Sequence, residues 1–149
     1  MSLQTCLADH LQTLPQLEAI LLEEKELLLG QFEPQELAQL TLRKYQVLEK
    51  IEQLDQQRIA LLQDRELDTQ LPGLRQAAAQ DQISDILDQV LELGEHLRAL
   101  NENNGILVNT FLADNQQALD ALAAFSGRSN VYDASGKSQS SSSTLSFKA

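Results

Sequence analysis

Apolar residues near the start of the chain recur at Leu3, Leu7, Leu11, Leu14, Leu17, Leu21 and Leu28, in steps of three and four with one step of seven. That spacing keeps one side of a 3.6-residue helix apolar and predicts a first helix over about 2–29. Pro15 interrupts the stripe without changing its phase, which predicts a kink in one long helix rather than a break. Gly30 supplies the stop, in the left-handed cap conformation that glycine tolerates. Glu33-Pro34-Gln35-Glu36 then restarts the helix, because proline suits a first turn and acids suit the positive end of the helix dipole. The second helix, 34–68, reads in heptads: Leu40, Val47, Leu54 and Leu61 are apolar throughout, whereas the companion set Leu37, Lys44, Ile51 and Arg58 alternates apolar with cationic. Two readings of Lys44 and Arg58 stay open. Their stems pack at the edge of the seam with the heads in water, or they pair with acids of another helix and fix its register.

Leu71-Pro72-Gly73 is expected to follow the end of the second helix, with residues 74–80 as a short helical connector. A third helix, 81–125, carries Ile83, Ile86, Leu87, Val90, Leu93, Leu97, Leu100, Leu107, Phe111, Ala118, Leu122 and Phe125. At about 1.5 Å per residue it would span on the order of 65 Å, more than a compact bundle requires. The expected fold is all-α, an elongated antiparallel helical hairpin or coiled-coil-like bundle of three main helices, with residues 1–125 as the helical domain. Residues 126–149 differ: nine of 24 are Ser, and only Val131, Tyr132, Leu145 and Phe147 are large and apolar. Such a segment buries too little to offset its ordering entropy and is expected to be a flexible tail.

Composition sharpens this picture. The 149 residues include 30 Leu and 19 Gln but only 6 Gly and 3 Pro, which favours long helices, and aromatic residues at 4% argue against a sandwich or barrel. The formal charge is −11, and since residues 126–149 carry +2, the helical part carries −13. Such a body repels nucleic acid and anionic lipid, so neither is expected as a partner. No run of about 18 apolar residues occurs, nor a basic start followed by an apolar run, so a cytoplasmic protein without membrane insertion is expected.

Candidates for catalysis are few. His10 and His96 are the only histidines, and neither has Glu three residues before it, as the carboxylate-bridged metal sites of helical bundles require. Zinc-protease, phosphate-loop and dinucleotide signatures are missing too, so no metal, no cofactor and no enzymatic activity are expected. Both histidines are expected to be exposed or half-exposed on helix surfaces. Cys6, the single cysteine, reads as a small buried hydrophobe with no His placed to act as its base.

The run Asn101-Glu102-Asn103-Asn104-Gly105-Ile106-Leu107-Val108 stands apart. Asn104 continues the apolar face of the third helix, and Asn and Gly are both poor helix formers. Asn101, Asn104 and Gly105 therefore mark either a buried polar contact that sets register, with Gly105 admitting a neighbouring backbone, or a bend that lets the following segment refit on a partner. Beyond it, Leu107, Val108, Phe111, Leu112, Leu119, Leu122 and Phe125 occupy more of the helix than a two-helix hairpin covers. Uncovered apolar surface of this kind is expected to bind another protein or a second copy of the chain.

The acidic helical frame, the Asn101-x-x-Asn104-Gly105-Ile106-Leu107-Val108 block and Val131-Tyr132-Asp133-Ala134-Ser135-Gly136 together resemble the FlgN family of flagellar export chaperones. The resemblance implies a cytosolic protein that binds amphipathic, unfolded-prone segments of the hook-filament junction (hook-associated) proteins and delivers them for type III export. It also implies docking on the cytosolic domain of the export gate through Tyr132. The Ser-rich extension after Gly136 departs from the simplest family pattern. The rival reading is a structural coiled-coil protein that self-associates, as a homodimer or larger oligomer, through the Leu40 to Leu61 seam.

Overall fold

The computed structural model describes residues 1–125. Four helices occupy them: α1 (Leu3–Leu29), α2 (Pro34–Asp64), α3 (Leu71–Gln80) and α4 (Ser84–Phe125). Three of them are long, the last beginning at Ser84 rather than 81, and the connector is a ten-residue helix of its own. The expected Ser-rich tail and Tyr132 lie outside the described residues. Packing divides the chain into two units, Met1–Asn104 and a second beginning at Gly105, so the boundary falls inside α4.

In the first unit, α1 starts on Ser2, whose hydroxyl accepts from the Thr5 amide at 3.1 Å. The helix continues through Pro15, and the Thr13 hydroxyl and Gln16 amide donate to the Asp9 and Gln12 carbonyls around it. Gly30 ends α1, but not as expected: its backbone is extended, φ −109°, rather than left-handed. Contacts between α1 and α2 run in opposite directions along the two chains, since Cys6 meets Leu54 and Glu24 meets Lys44. Those between α1 and α4 run together, since Leu3 and Leu7 share a cluster with Leu87, and Leu21 meets Asn104. The unit is therefore an up-down-up arrangement of three helices, with α3 at the turn between α2 and α4.

Two clusters fill the interior. Leu3, Leu7, Leu62, Leu74, Ala77, Ala78, Ile83 and Leu87 form the one beside α3, and Leu14, Leu17, Leu21 and Leu97 form the other. Val90 packs against both, making the core continuous along the bundle. Leu40 and Leu54 of the heptad seam are buried, and Val47 and Ile51 pack on the second cluster, so the chain itself consumes that seam.

The ends of α2 and α3 depart from the sequence expectation in the same manner. Each closes with a residue at positive φ, Glu66 (57°) and Gln82 (58°), followed by a six-to-one hydrogen bond, Leu67 N to Leu62 O at 3.0 Å and Ile83 N to Ala78 O at 2.8 Å. Helix α2 thus stops at Asp64 rather than 68, and the residue after each reversal, Leu67 or Ile83, joins the core. Pro72 and Gly73 do not break a helix; they belong to the first turn of α3. Gly73 is required by proximity, because a Cβ there would lie 1.7 Å from the Asp68 carbonyl oxygen.

Candidate functional site

Three places carry polar or apolar groups that the bundle alone does not explain. The first lies where α1, α2 and α4 meet near Asn104. Asn104 is 1% exposed; its Nδ2 donates to the Leu21 carbonyl at 2.8 Å and to Glu24 Oε1 at 3.0 Å. Glu24, also buried, pairs with Lys44 Nζ at 3.4 Å, and Lys44 donates in turn to Asn101 Oδ1 at 3.0 Å. Asn101, Asn104, Glu24 and Lys44 thus form one network joining three helices. Gly105 does not admit a neighbouring backbone, since a Cβ there would meet nothing within 4 Å, and α4 stays helical through it. Asn104 Oδ1 is buried without a hydrogen-bond partner. Sequence reasoning missed Glu24, although its trace is visible: the step of seven from Leu21 to Leu28 skips the position that Glu24 fills.

The second lies toward the α3 end. His10 is not exposed, as the sequence reading expected, but 5% exposed, because it falls in phase with Leu3, Leu7, Leu14 and Leu17. Its Nδ1 lies 2.8 Å from the Cys6 carbonyl, to which it donates, and its Nε2 lies 3.6 Å from Asp55 Oδ1. Burial pushes the imidazole pKa down, but the Asp55 carboxylate, the Cys6 side chain and the Cys6 carbonyl outweigh it and hold it at about 10. The His10 imidazole, against burial and with help from Arg58, holds the Asp55 carboxyl below its ordinary range. Arg58 Nε donates to Asp55 Oδ1 at 3.2 Å and Nη1 to the Thr69 carbonyl at 3.1 Å, tying α2 to the loop before α3.

A histidine does therefore lie beside Cys6, with Sγ and Nδ1 4.0 Å apart, contrary to the sequence expectation. It does not make a nucleophile of the thiol. Nδ1 is committed to the carbonyl, the thiol donates to Leu54 O at 3.4 Å, and Cys6 is fully buried. His96 is exposed, with Nε2 3.6 Å from Glu18 Oε2.

The third place is the α4 segment from Gly105 to Phe125. At about 100° per residue, Leu107, Val108, Phe111, Leu112, Leu119, Leu122 and Phe125 fall within an arc of roughly 140°. Leu107 and Val108 are half-buried; Leu112, Leu119 and Phe125 are 41%, 60% and 94% exposed. The remaining side is mixed, with Gln116 donating to Asp120 at 2.9 Å beside several alanines and the exposed Ile106. This is one broad apolar face, wider than a two-stranded coiled-coil seam. Among the described residues no helix is long and apolar enough to cross a membrane.

Fold and site together define a small acidic all-α protein whose last long helix presents an apolar face. The family model described as FlgN protein matches residues 1–140. The chain is 32% identical over 100 residues to "Flagella synthesis protein FlgN" of Salmonella typhimurium, covering 67% of this chain and 64% of that one. It is 30% identical over 128 residues to the protein of the same name from Yersinia enterocolitica, covering 85% and 83%. The match thus spans less than two thirds of the Salmonella relative's length. No solved structure matches the chain significantly. The chain belongs to the FlgN family.

Proposed function

We propose that the protein is a cytosolic export chaperone that binds amphipathic, unfolded-prone segments of flagellar hook-filament junction proteins and delivers them to the export gate. The observation that carries this reading is the apolar arc of α4, in which Leu119 and Phe125 expose most of their side chains to solvent. An amphipathic client helix laid on such a face buries its own apolar side against Leu107, Val108, Phe111, Leu112, Leu119, Leu122 and Phe125. Delivery is assigned to Tyr132, where an aromatic ring with a hydroxyl gives a compact anchor for a partner pocket.

The test is a calorimetric titration of the full chain with the terminal segments of junction proteins. Replacing Leu112 and Leu119 by Gln should weaken binding by more than about 2 kcal/mol if they are central anchors, with helicity unchanged. Unchanged affinity in a folded variant would remove this face from the mechanism. Tyr132→Ala should keep client affinity and lose binding to the gate's cytosolic domain. Self-association is the second reading, and the burial of Leu40 and Leu54 within the chain disfavours its expected seam. Sedimentation across a wide concentration range separates the two readings, because only self-association yields stable homo-oligomers without client.

A further inference from the structure

The apolar arc of α4 and residues 126–149 belong to the same unit of the chain, the one that begins at Gly105. Within the arc, Asp114, Ala118 and Leu122 follow one another at intervals of four and stack along one side of the helix. Ala118 is exposed, and its short side chain makes a low point between Phe111 and Leu122, with Leu119 beside it. Asp114 supplies an acidic rim. Between Gly105 and Phe125 the only charged residues are Asp114 and Asp120, and no cation offsets them. The exposed strip therefore suits an apolar segment that carries a positive charge.

Residues 134–149 have that character. Their charged side chains are Lys137 and Lys148, with no acid among them, and their only large apolar residues are Leu145 and Phe147. A single Ser separates those two, so an extended backbone puts both on one side, with Lys148 adjoining. Val131 and Tyr132 suit the acidic rim less well, because Asp133 follows them directly. Reach is sufficient. Leu145 follows Phe125 by 20 positions, and a Ser-rich linker of that length has an r.m.s. span of about 25 Å. Ala118 lies only about 10 Å along α4 from Phe125. Such a linker holds its end at a millimolar effective concentration, so a contact with a dissociation constant of about 1 mM is already half formed.

We infer that the segment Leu145 to Lys148 folds back onto α4, with the Phe147 ring over Ala118, Leu145 toward Leu119 and the Lys148 ammonium beside Asp114. The segment and a client then compete for the arc, a consequence that rests on the proposed client site, whereas the contact itself does not.

The experiment uses the full chain with isotope-labelled Ala and Leu methyl groups. Phe147→Ser should move the Ala118 and Leu122 methyl signals by removing the ring above them, and Lys148→Glu should move them the same way by setting an acid against Asp114. The Leu87 and Leu97 signals should stay in place, showing an intact bundle. A peptide of residues 143–149 added to the Phe147→Ser chain should shift Ala118 and Leu122 saturably back. In the unaltered chain, nuclear Overhauser contacts from the Phe147 ring to these methyls test the same geometry without a variant. Unmoved Ala118 and Leu122 signals in both variants would overturn the inference. So would wild-type signals that vary with protein concentration, which would assign the face to a second copy. Client affinity is read separately, and Phe147→Ser should raise it at least about twofold. Client binding without the methyl shifts would keep the chaperone reading and end this one, and the shifts without client binding would do the reverse.

Discussion

Replacing Asn104 separates the buried network into parts whose sizes can be anticipated. Asn104→Ala removes a hydrogen bond to the Glu24 carboxylate and one to the Leu21 carbonyl. Such bonds contribute about 1.5–3 and about 1 kcal/mol respectively. The same change deletes Oδ1, a buried acceptor without a partner, whose desolvation costs about 1–3 kcal/mol. The net loss should be about 1–2 kcal/mol, or about 4–8 °C for each kcal/mol in a unit of this size. Asn104→Asp is the sharper probe, because it sets a second carboxylate where the amide now lies 3.0 Å from Glu24. With only Lys44 to offset two acids, the cost at pH 7 should exceed that of the Ala variant by about 2 kcal/mol or more. Beside Glu24 the introduced carboxyl has its folded-state pKa raised above the unfolded value. Its destabilisation is therefore complete at neutral pH and relieved as pH falls through the raised pKa. Urea unfolding of both variants between pH 7 and pH 5 checks this, since changes in other carboxylates largely cancel in the difference. If Asn104→Asp is no less stable than Asn104→Ala at pH 7, or the gap between them stays constant with acidification, the Glu24 contact does not exist as described.

Three further outcomes follow from the first unit. Because the His10 pKa is raised from 6.5 to about 10, the stability that this group contributes is complete below pH 6.5 and lost as pH rises toward 10; urea midpoints across that range should fall more steeply for the wild type than for His10→Gln. Glu66→Gly and Gln82→Gly relieve a side chain held at positive φ and should each raise stability by up to about 1 kcal/mol in thermal or urea unfolding. Gly73→Ala forces the loop at Asp68 away from α3 and should lower stability by about 1–3 kcal/mol, a cost that an unchanged melting temperature would contradict.

The long helices were legible in the sequence because burial on one side of a helix imposes a spacing that can be read directly. Their ends were less so. Gly30 stops α1 in an extended conformation, and the left-handed caps fall on Glu66 and Gln82, residue types that carry no such signal. At both, the chain reverses so that Leu67 and Ile83 reach the core, a tertiary demand that local preference does not contain. Gly73 likewise reads as a breaker in isolation, whereas its role is to let Asp68 approach. The apolar arc of α4 was legible residue by residue, since it is a property of one helix. The ionic cluster of His10, Asp55 and Arg58 was not, because its members come from two helices.

What periodicity did carry, once both helices are considered together, is the register of the antiparallel pair. On α1 the titratable residues on the buried side, the Cys6 thiol apart, are His10 and Glu24, 14 residues apart; on α2 the cations in the seam are Lys44 and Arg58, also 14 apart. Antiparallel packing with Glu24 against Lys44 places His10 opposite Arg58, and the structure adopts that register, with Asp55 bridging the two cations. A shift by one heptad would bring Glu24 opposite Ile51 or Leu37, and would leave a buried carboxylate without its cation at a cost of several kcal/mol. Apolar heptads alone tolerate such a slip, since along Leu40, Val47, Leu54 and Leu61 one aliphatic side chain replaces another at every step. The two polar positions therefore select one alignment among several that the leucines allow. That alignment in turn places Asn104 against Glu24.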